Sequence, residues 1–248
     1  MTLNFIQIES KTGIKEFELY NGDMSNLPFN VDLLCISAFY KDYTPTDKSI
    51  IGQLFKKGID VNSLSKKNLY DFRDNLGIWV SSKSKGTFFK NIICVEISGA
   101  NQSLKDVITN LFAVISFLEI QGNKNSSIAI PLIGTGDQSL DPEMVTDILL
   151  DTSVEFLKYS RYLNKVYFVV RNDEKAQLLN RQMNIKLGRA KVKSPKGELA
   201  ALLRKDLNNN IDALIDRYEN EEVFKDSWNQ PHSFLIHDFH NFVKGLAI

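Results

Sequence analysis

The residues whose types and spacing point most directly at chemistry lie in SIAIPLIGTGDQSLDPE. An apolar run ends in Ile133-Gly134-Thr135-Gly136-Asp137-Gln138. Asp141-Pro142-Glu143 then offers an N-cap, a proline for the first helical position and an acid for the first turn. Glycines let a backbone approach a ligand closely and turn successive N–H groups to one side, which makes a nest for an anion. A helix N-terminus behind them adds about half a positive charge of dipole. This is chemistry for holding a diphosphate; a plain strand-to-helix turn accounts for the same residues without a ligand. No GK[ST] follows the glycines and the third glycine of GxGxxG is missing, so neither a P-loop NTPase nor a dinucleotide oxidoreductase is implied.

Other polar groups are less specific. In YKDYTPTDKS, Lys41, Lys48 and the hydroxyls of Tyr43, Thr44, Thr46 and Ser49 could contact phosphates, or form a solvated loop. His232, His237 and His240 lie close together near the C-terminus, but no HExxH and no cysteine accompanies them, so no metal site is expected. Cys35 and Cys94 sit inside apolar runs, VDLLCISAF and NIICVEI, and read as buried thiols rather than a disulfide framework.

The elements that must position these groups alternate between two hydrophobic periods. Residues 3–9 and 15–20 alternate as half-buried strands around a turn at Gly13, and 31–39 is apolar enough for an interior strand. A short helix over 49–58 stops at Gly58. Residues 60–82 carry a helix-like spacing of Leu64, Leu69, Phe72 and Leu76, broken at Gly77. A strand at 88–98 precedes a helix that Ser103 and Asp106 open and Gly122 closes. A strand at 126–134, a helix from Asp141 to about Arg161, a strand at 165–170 and a helix capped by Asn172 and stopped at Gly188 follow. Strands separated by full helices imply right-handed crossovers and a partly parallel sheet between helix layers. The expected fold is a three-layer α/β/α mixed sheet over residues 1–192, with a helical C-terminal extension at 193–248.

The order of these elements, together with two short motifs, resembles the macrodomain, the ADP-ribose-binding fold, over residues 3–188. Gly22-Asp23-Met24 is similar to the family's turn whose Asp reads the adenine amino group, a role suited to a carboxylate because it only accepts hydrogen bonds. Ile133 to Gln138 is similar to the second phosphate loop, and Val170-Arg171-Asn172 to the strand end that flanks the adenine. Ser37-Ala38-Phe39 occupies the place where family hydrolases carry an Asn-rich strand end and a glycine-rich loop; neither is present here. The resemblance therefore implies a ligand site built from Asp23, Met24, Ser37, Ala38, Phe39, Ile133, Gly134, Thr135, Gly136, Asp137, Gln138 and Arg171. It implies a binder of ADP-ribose or a related NAD-derived nucleotide, with no resident cofactor or metal. NAD-linked signalling or antiviral defence in bacteria is the setting associated with such modules. The alternatives are a hydrolase that positions water with Asp42, Asp47 or Asp137, and an interaction scaffold without a ligand.

Composition narrows the classes without choosing among them. Lys+Arg and Asp+Glu are both 30, for a net charge of +0. A duplex-DNA binder needs a basic surplus to displace counterions, so nucleic acid is not an expected partner. Hydrophobic residues at 43% and the absence of a span-length apolar run place the chain among cytoplasmic globular proteins rather than membrane or disordered ones. The zero hides structure: Lys186, Arg189, Lys191, Lys193, Lys196, Arg204 and Lys205 form a basic stretch, and acids dominate from Asp206 to Asp226. The apolar face of 199–215 needs a covering partner, either the first domain, a second copy or another protein.

Overall fold

The computed structural model describes residues 1–84, 87–97, 103–134 and 142–189. The strands are β1 (Thr2–Ser10), β2 (Gly13–Asn21), β3 (Val31–Phe39), β4 (Asn68–Phe72), β5 (Ile78–Ser81), β6 (Phe89–Ile97), β7 (Ser127–Pro131) and β8 (Lys165–Val170). The helices are α1 (Ile50–Lys56), α2 (Val61–Lys66), α3 (Arg73–Leu76), α4 (Leu104–Ile120), α5 (Pro142–Tyr159) and α6 (Asp173–Lys186). All eight strands form one sheet in the order β1-β2-β8-β7-β3-β6-β5-β4. The five central strands β2, β8, β7, β3 and β6 are parallel, and antiparallel partners close both edges.

Strand period 2 sends alternate residues of β3 into two cores. Leu33 and Cys35 join the core under α4, α5 and α6, while Leu34, Ile36 and Ala38 join the core under α1 and α2. Cys35 and Cys94 therefore lie on opposite faces as free, buried thiols, and burial pushes both thiol pKa values up. The α/β/α layering expected from the sequence is present.

One stretch departs from its periodicity. Residues 60–82 form α2, the edge strand β4, the single turn α3 and β5 instead of a helix broken at Gly77. Leu69 and Phe72 follow a helical spacing by coincidence. Pairing of β4 with β5 and of β5 with β6 satisfies their backbone groups, and tertiary pairing overrides a local pattern this short. Ser103 and Asp106 do open α4, as its N-cap and as an acid in its first turn, but the Ser103 side chain makes no cap bond. Asn172 does cap α6, its side chain accepting from the Lys175 amide at 2.8 Å.

The basic stretch begins inside this fold. Lys186 pairs with Asp151 at 2.8 Å and Asp147 at 3.4 Å, and Arg189 donates to the Phe5 carbonyl at 2.8 Å and the Asn4 side chain at 2.9 Å. These two cations are fastened to the domain rather than to a solvated linker. The expected boundary near 192 and the whole of 193–248, with its histidines and its apolar helix face, lie outside the described residues. No helix among the described residues is long and apolar enough to cross a membrane.

Candidate nucleotide site

β3 leads out to β6 on one side, while β7 on its other side leads to β8. Ladder pairing between β3 and β7 runs only over Leu33–Ile128 and Leu34–Ala129, although both strands continue. Beyond that point their carboxyl ends part. Open α/β sheets place ligands in such a crevice.

A cleft of about 780 Å³ opens there, a volume ordinary for a small-molecule site. Gly22, Asp23 and Met24 form one end with Val170, Arg171, Asn172 and Lys175; Ser37, Ala38, Pro131 and Leu132 line the middle, where Gly134 also reaches it. The far wall is Phe39, Asp42, Thr44 and Thr46 to Gln53, apart from Gly52.

Each part is held by identifiable local contacts. The Gly22 amide donates to the Val170 carbonyl at 3.0 Å, which carries the β2–β8 pairing one residue further and fixes where the chain turns. Asp23 Oδ1 then accepts from the amide and the hydroxyl of Ser25, both at 2.8 Å. This Asx-type turn orients the carboxylate and leaves Oδ2 with no protein partner among the described residues. Gly134 adopts φ +75°, a left-handed conformation in which glycine carries no steric penalty. At the far wall Ser49 caps α1, accepting from the Gly52 amide at 2.9 Å and donating to the Thr46 carbonyl at 3.0 Å. A Cβ at Gly52 would sit 1.8 Å from the Thr46 carbonyl oxygen, so only glycine lets the loop press this closely on the helix.

The charges at the cleft are unevenly committed. A hydrogen bond from the Thr44 hydroxyl, then one from its amide, holds the Asp42 carboxyl below the usual range; the Lys56 ammonium does the same for Asp47 at 2.8 Å. Lys48, Arg171 and Lys175 line the cleft without an ion pair among the described residues. Among the described residues the site is thus a polar groove with unpaired cations at both ends and bound carboxylates on the far wall.

Of the residues singled out from the sequence, Asp23, Met24, Ser37, Ala38, Phe39, Gly134 and Arg171 meet around this cleft. Ile133 does not line it; its side chain is fully buried in the core under α4 to α6. Thr135, Gly136, Asp137 and Gln138 lie outside the described residues. Tyr43 turns away from the cleft into the core, and Lys41 does not line it, whereas Thr44, Thr46, Lys48 and Ser49 do. Lys175 and Gln53 were not anticipated. A signal for Lys175 existed: it stands three residues after the Asn172 cap, in the first turn of a helix that starts at a strand's carboxyl end.

Neither a family model nor a curated protein matches this sequence. Solved structures do match the fold. A macrodomain variant of Oceanobacillus iheyensis with bound ADP-ribose superposes with a TM-score of 0.57 at 14% identity, covering 75% of this chain and 100% of that one. A second variant of the same macrodomain gives 0.57 at 14% identity, over 77% and 96% of the two chains. A Trypanosoma brucei macrodomain in complex with ADP-ribose gives 0.52 at 13% identity, over 67% and 68%. The chain has the macrodomain fold.

Proposed function

We propose that this chain binds ADP-ribose or a closely related NAD-derived nucleotide, as a reader rather than a hydrolase. The observation that carries this reading is the Asp23 carboxylate. Ser25 holds it at the end of the cleft, and the second oxygen, unpartnered among the described residues, would accept from an adenine amino group. The middle of the cleft, where Gly134 carries its left-handed turn, suits a diphosphate held by backbone. Thr44, Thr46 and the carboxylates of the far wall offer partners for a distal ribose. The macrodomain fold and the ADP-ribose in two of its structural neighbours support the same ligand class.

Hydrolysis would need a group to activate water. Asp42 and Asp47 line the cleft, but Thr44 and Lys56 already engage their carboxylates. The setting we propose is NAD-linked signalling or defence, by association with modules of this fold, with residues 193–248 as the part that engages a second copy or another protein.

Titration calorimetry with ADP-ribose tests the reading. Binding in the micromolar range is expected, and Asp23→Ala should weaken it about 10- to 100-fold through loss of a charge-assisted hydrogen bond. Absence of heat at millimolar ADP-ribose would refute it. Release of ADP-ribose from modified protein by the wild-type chain, stopped by Asp42→Ala or Asp137→Ala, would favour the hydrolase instead.

A further inference from the structure

Behind the far wall lies a buried polar chain that the nucleotide reading does not use. Glu96, near the end of β6, is 1% exposed and follows the apolar run Ile92-Ile93-Cys94-Val95. A carboxylate there is tolerated only if hydrogen bonds replace its water. Its Oε2 accepts from the Lys41 amide at 3.0 Å, and its Oε1 accepts from the Tyr43 hydroxyl. Tyr43 is itself buried, and Arg73 Nη1 donates to its oxygen at 3.3 Å. Arg73 is fixed in turn by Asp71, with Nε 2.8 Å from Oδ1. Burial, then the bond to Glu96, pushes the Tyr43 phenol up, so it stays a neutral donor.

Both groups that Glu96 holds belong to the segment that leaves β3 for the cleft. Phe39 and Asp42 form a bridge across a tight turn, with the Asp42 amide donating to the Phe39 carbonyl at 3.0 Å. Lys41 in that turn adopts φ +55°, the only left-handed non-glycine among the described residues. That conformation is disfavoured for a residue with a Cβ and persists where surrounding contacts hold it. Immediately beyond, Asp42, Thr44 and Thr46 line the cleft. Glu96 itself does not.

We infer that Glu96 is a positioning residue for the distal half of the nucleotide: through the Lys41 amide and the Tyr43 hydroxyl it presets the far wall of the cleft. The inference rests on the nucleotide reading above. A wall fixed before binding loses less entropy when the ligand arrives. It also gives the β3–α1 segment, which has no glycine run, one rigid shape.

The test separates the ends of the ligand. AMP reaches the Asp23 end but not the far wall, whereas ADP-ribose spans both. Glu96→Gln keeps the volume but leaves one carbonyl-type acceptor for two donors; Tyr43→Phe removes only the hydroxyl. Each should weaken ADP-ribose binding about 10-fold and change AMP binding less than about twofold, and the double variant should be no weaker than the worse single one. In the free protein, hydrogen exchange at the Lys41 amide should quicken in Glu96→Gln. If that variant fails to fold, Tyr43→Phe with the two ligands decides alone.

Equal losses for AMP and ADP-ribose, or none for either, would overturn the positioning role while leaving the nucleotide reading intact. A wild-type chain that binds neither ligand would overturn both.

Discussion

Lys15 offers a sharp test of how the edge of the sheet is held. It is 1% exposed, and its ammonium donates to the carbonyls of Leu163, at 2.9 Å, and Ser160 in the loop that joins α5 to β8. From the other side Glu119 accepts from the Ser160 hydroxyl and from the amides of Arg161, Tyr162 and Leu163. Lys15→Met keeps most of the stem's packing and removes the charge. Two effects compete. Burying an ammonium is costly, and apolar replacement of a buried ion is sometimes neutral or stabilising. Here, however, the substitution leaves the carbonyls of two buried residues, Ser160 and Leu163, without this donor, at about 1–3 kcal/mol each. The second effect should win, with a net loss of about 2–4 kcal/mol.

Urea unfolding followed by circular dichroism reads this loss as a lower midpoint at an unchanged slope. Its pH dependence gives a second check. Burial lowers the Lys15 pKa from the ordinary 10.5, against the attraction of Glu119. Between that lowered value and 10.5 the unfolded chain binds more protons than the folded one, so stability from this group rises with pH. The neutral amine keeps two N–H donors for the two carbonyls and no longer buries a charge, so the wild-type advantage over Lys15→Met should widen across that alkaline window. A variant within about 0.5 kcal/mol of wild type at neutral pH would refute the argument that the Lys15 amino group holds the loop.

Two further perturbations follow from the same geometry. Burial raises the Glu119 carboxyl, but the bonds from Ser160 and the three amides outweigh it and leave the pKa below 4.5. Its contribution is present above 4.5 and is lost as pH falls through the folded value; Glu119→Gln should cost about 1–3 kcal/mol at pH 7 and flatten the acid limb of a stability–pH profile. Gly52→Ala places a methyl against the Thr46 carbonyl, so α1 and the far wall must separate. A loss of about 1–3 kcal/mol by thermal melting, with weaker ADP-ribose binding, is expected, and full retention of both would show that the wall yields freely.

Much of the frame was legible in the sequence because the signals were local. The apolar run at 31–39 and the one at 165–170 match β3 and β8 in extent. Asn172, Gly58, Gly122 and Gly188 mark helix ends, the three glycines with positive φ, because caps and left-handed turns depend on a few neighbouring residues. The region 60–82 is less legible because its strands are short: β4 and β5 span five and four residues, too few for an alternation to stand out against the helix-like spacing of Leu64, Leu69, Phe72 and Leu76.

The cleft divides in the same way. The sequence by itself determined that a carboxylate turn, a glycine turn and a polar loop follow the carboxyl ends of strands, since residue types and order suffice for that. Only the tertiary structure decided which of those groups share a cleft. Past the ends of β7 and β3, Ile133 and Tyr43 turn into opposite cores, while Thr44, Thr46 and Lys48 line the cleft. It also decided what holds the far wall. Glu96 lies 53 residues from Tyr43 in the chain, and the β3–β6 pairing brings them together because buried strands must satisfy their hydrogen bonds with distant partners.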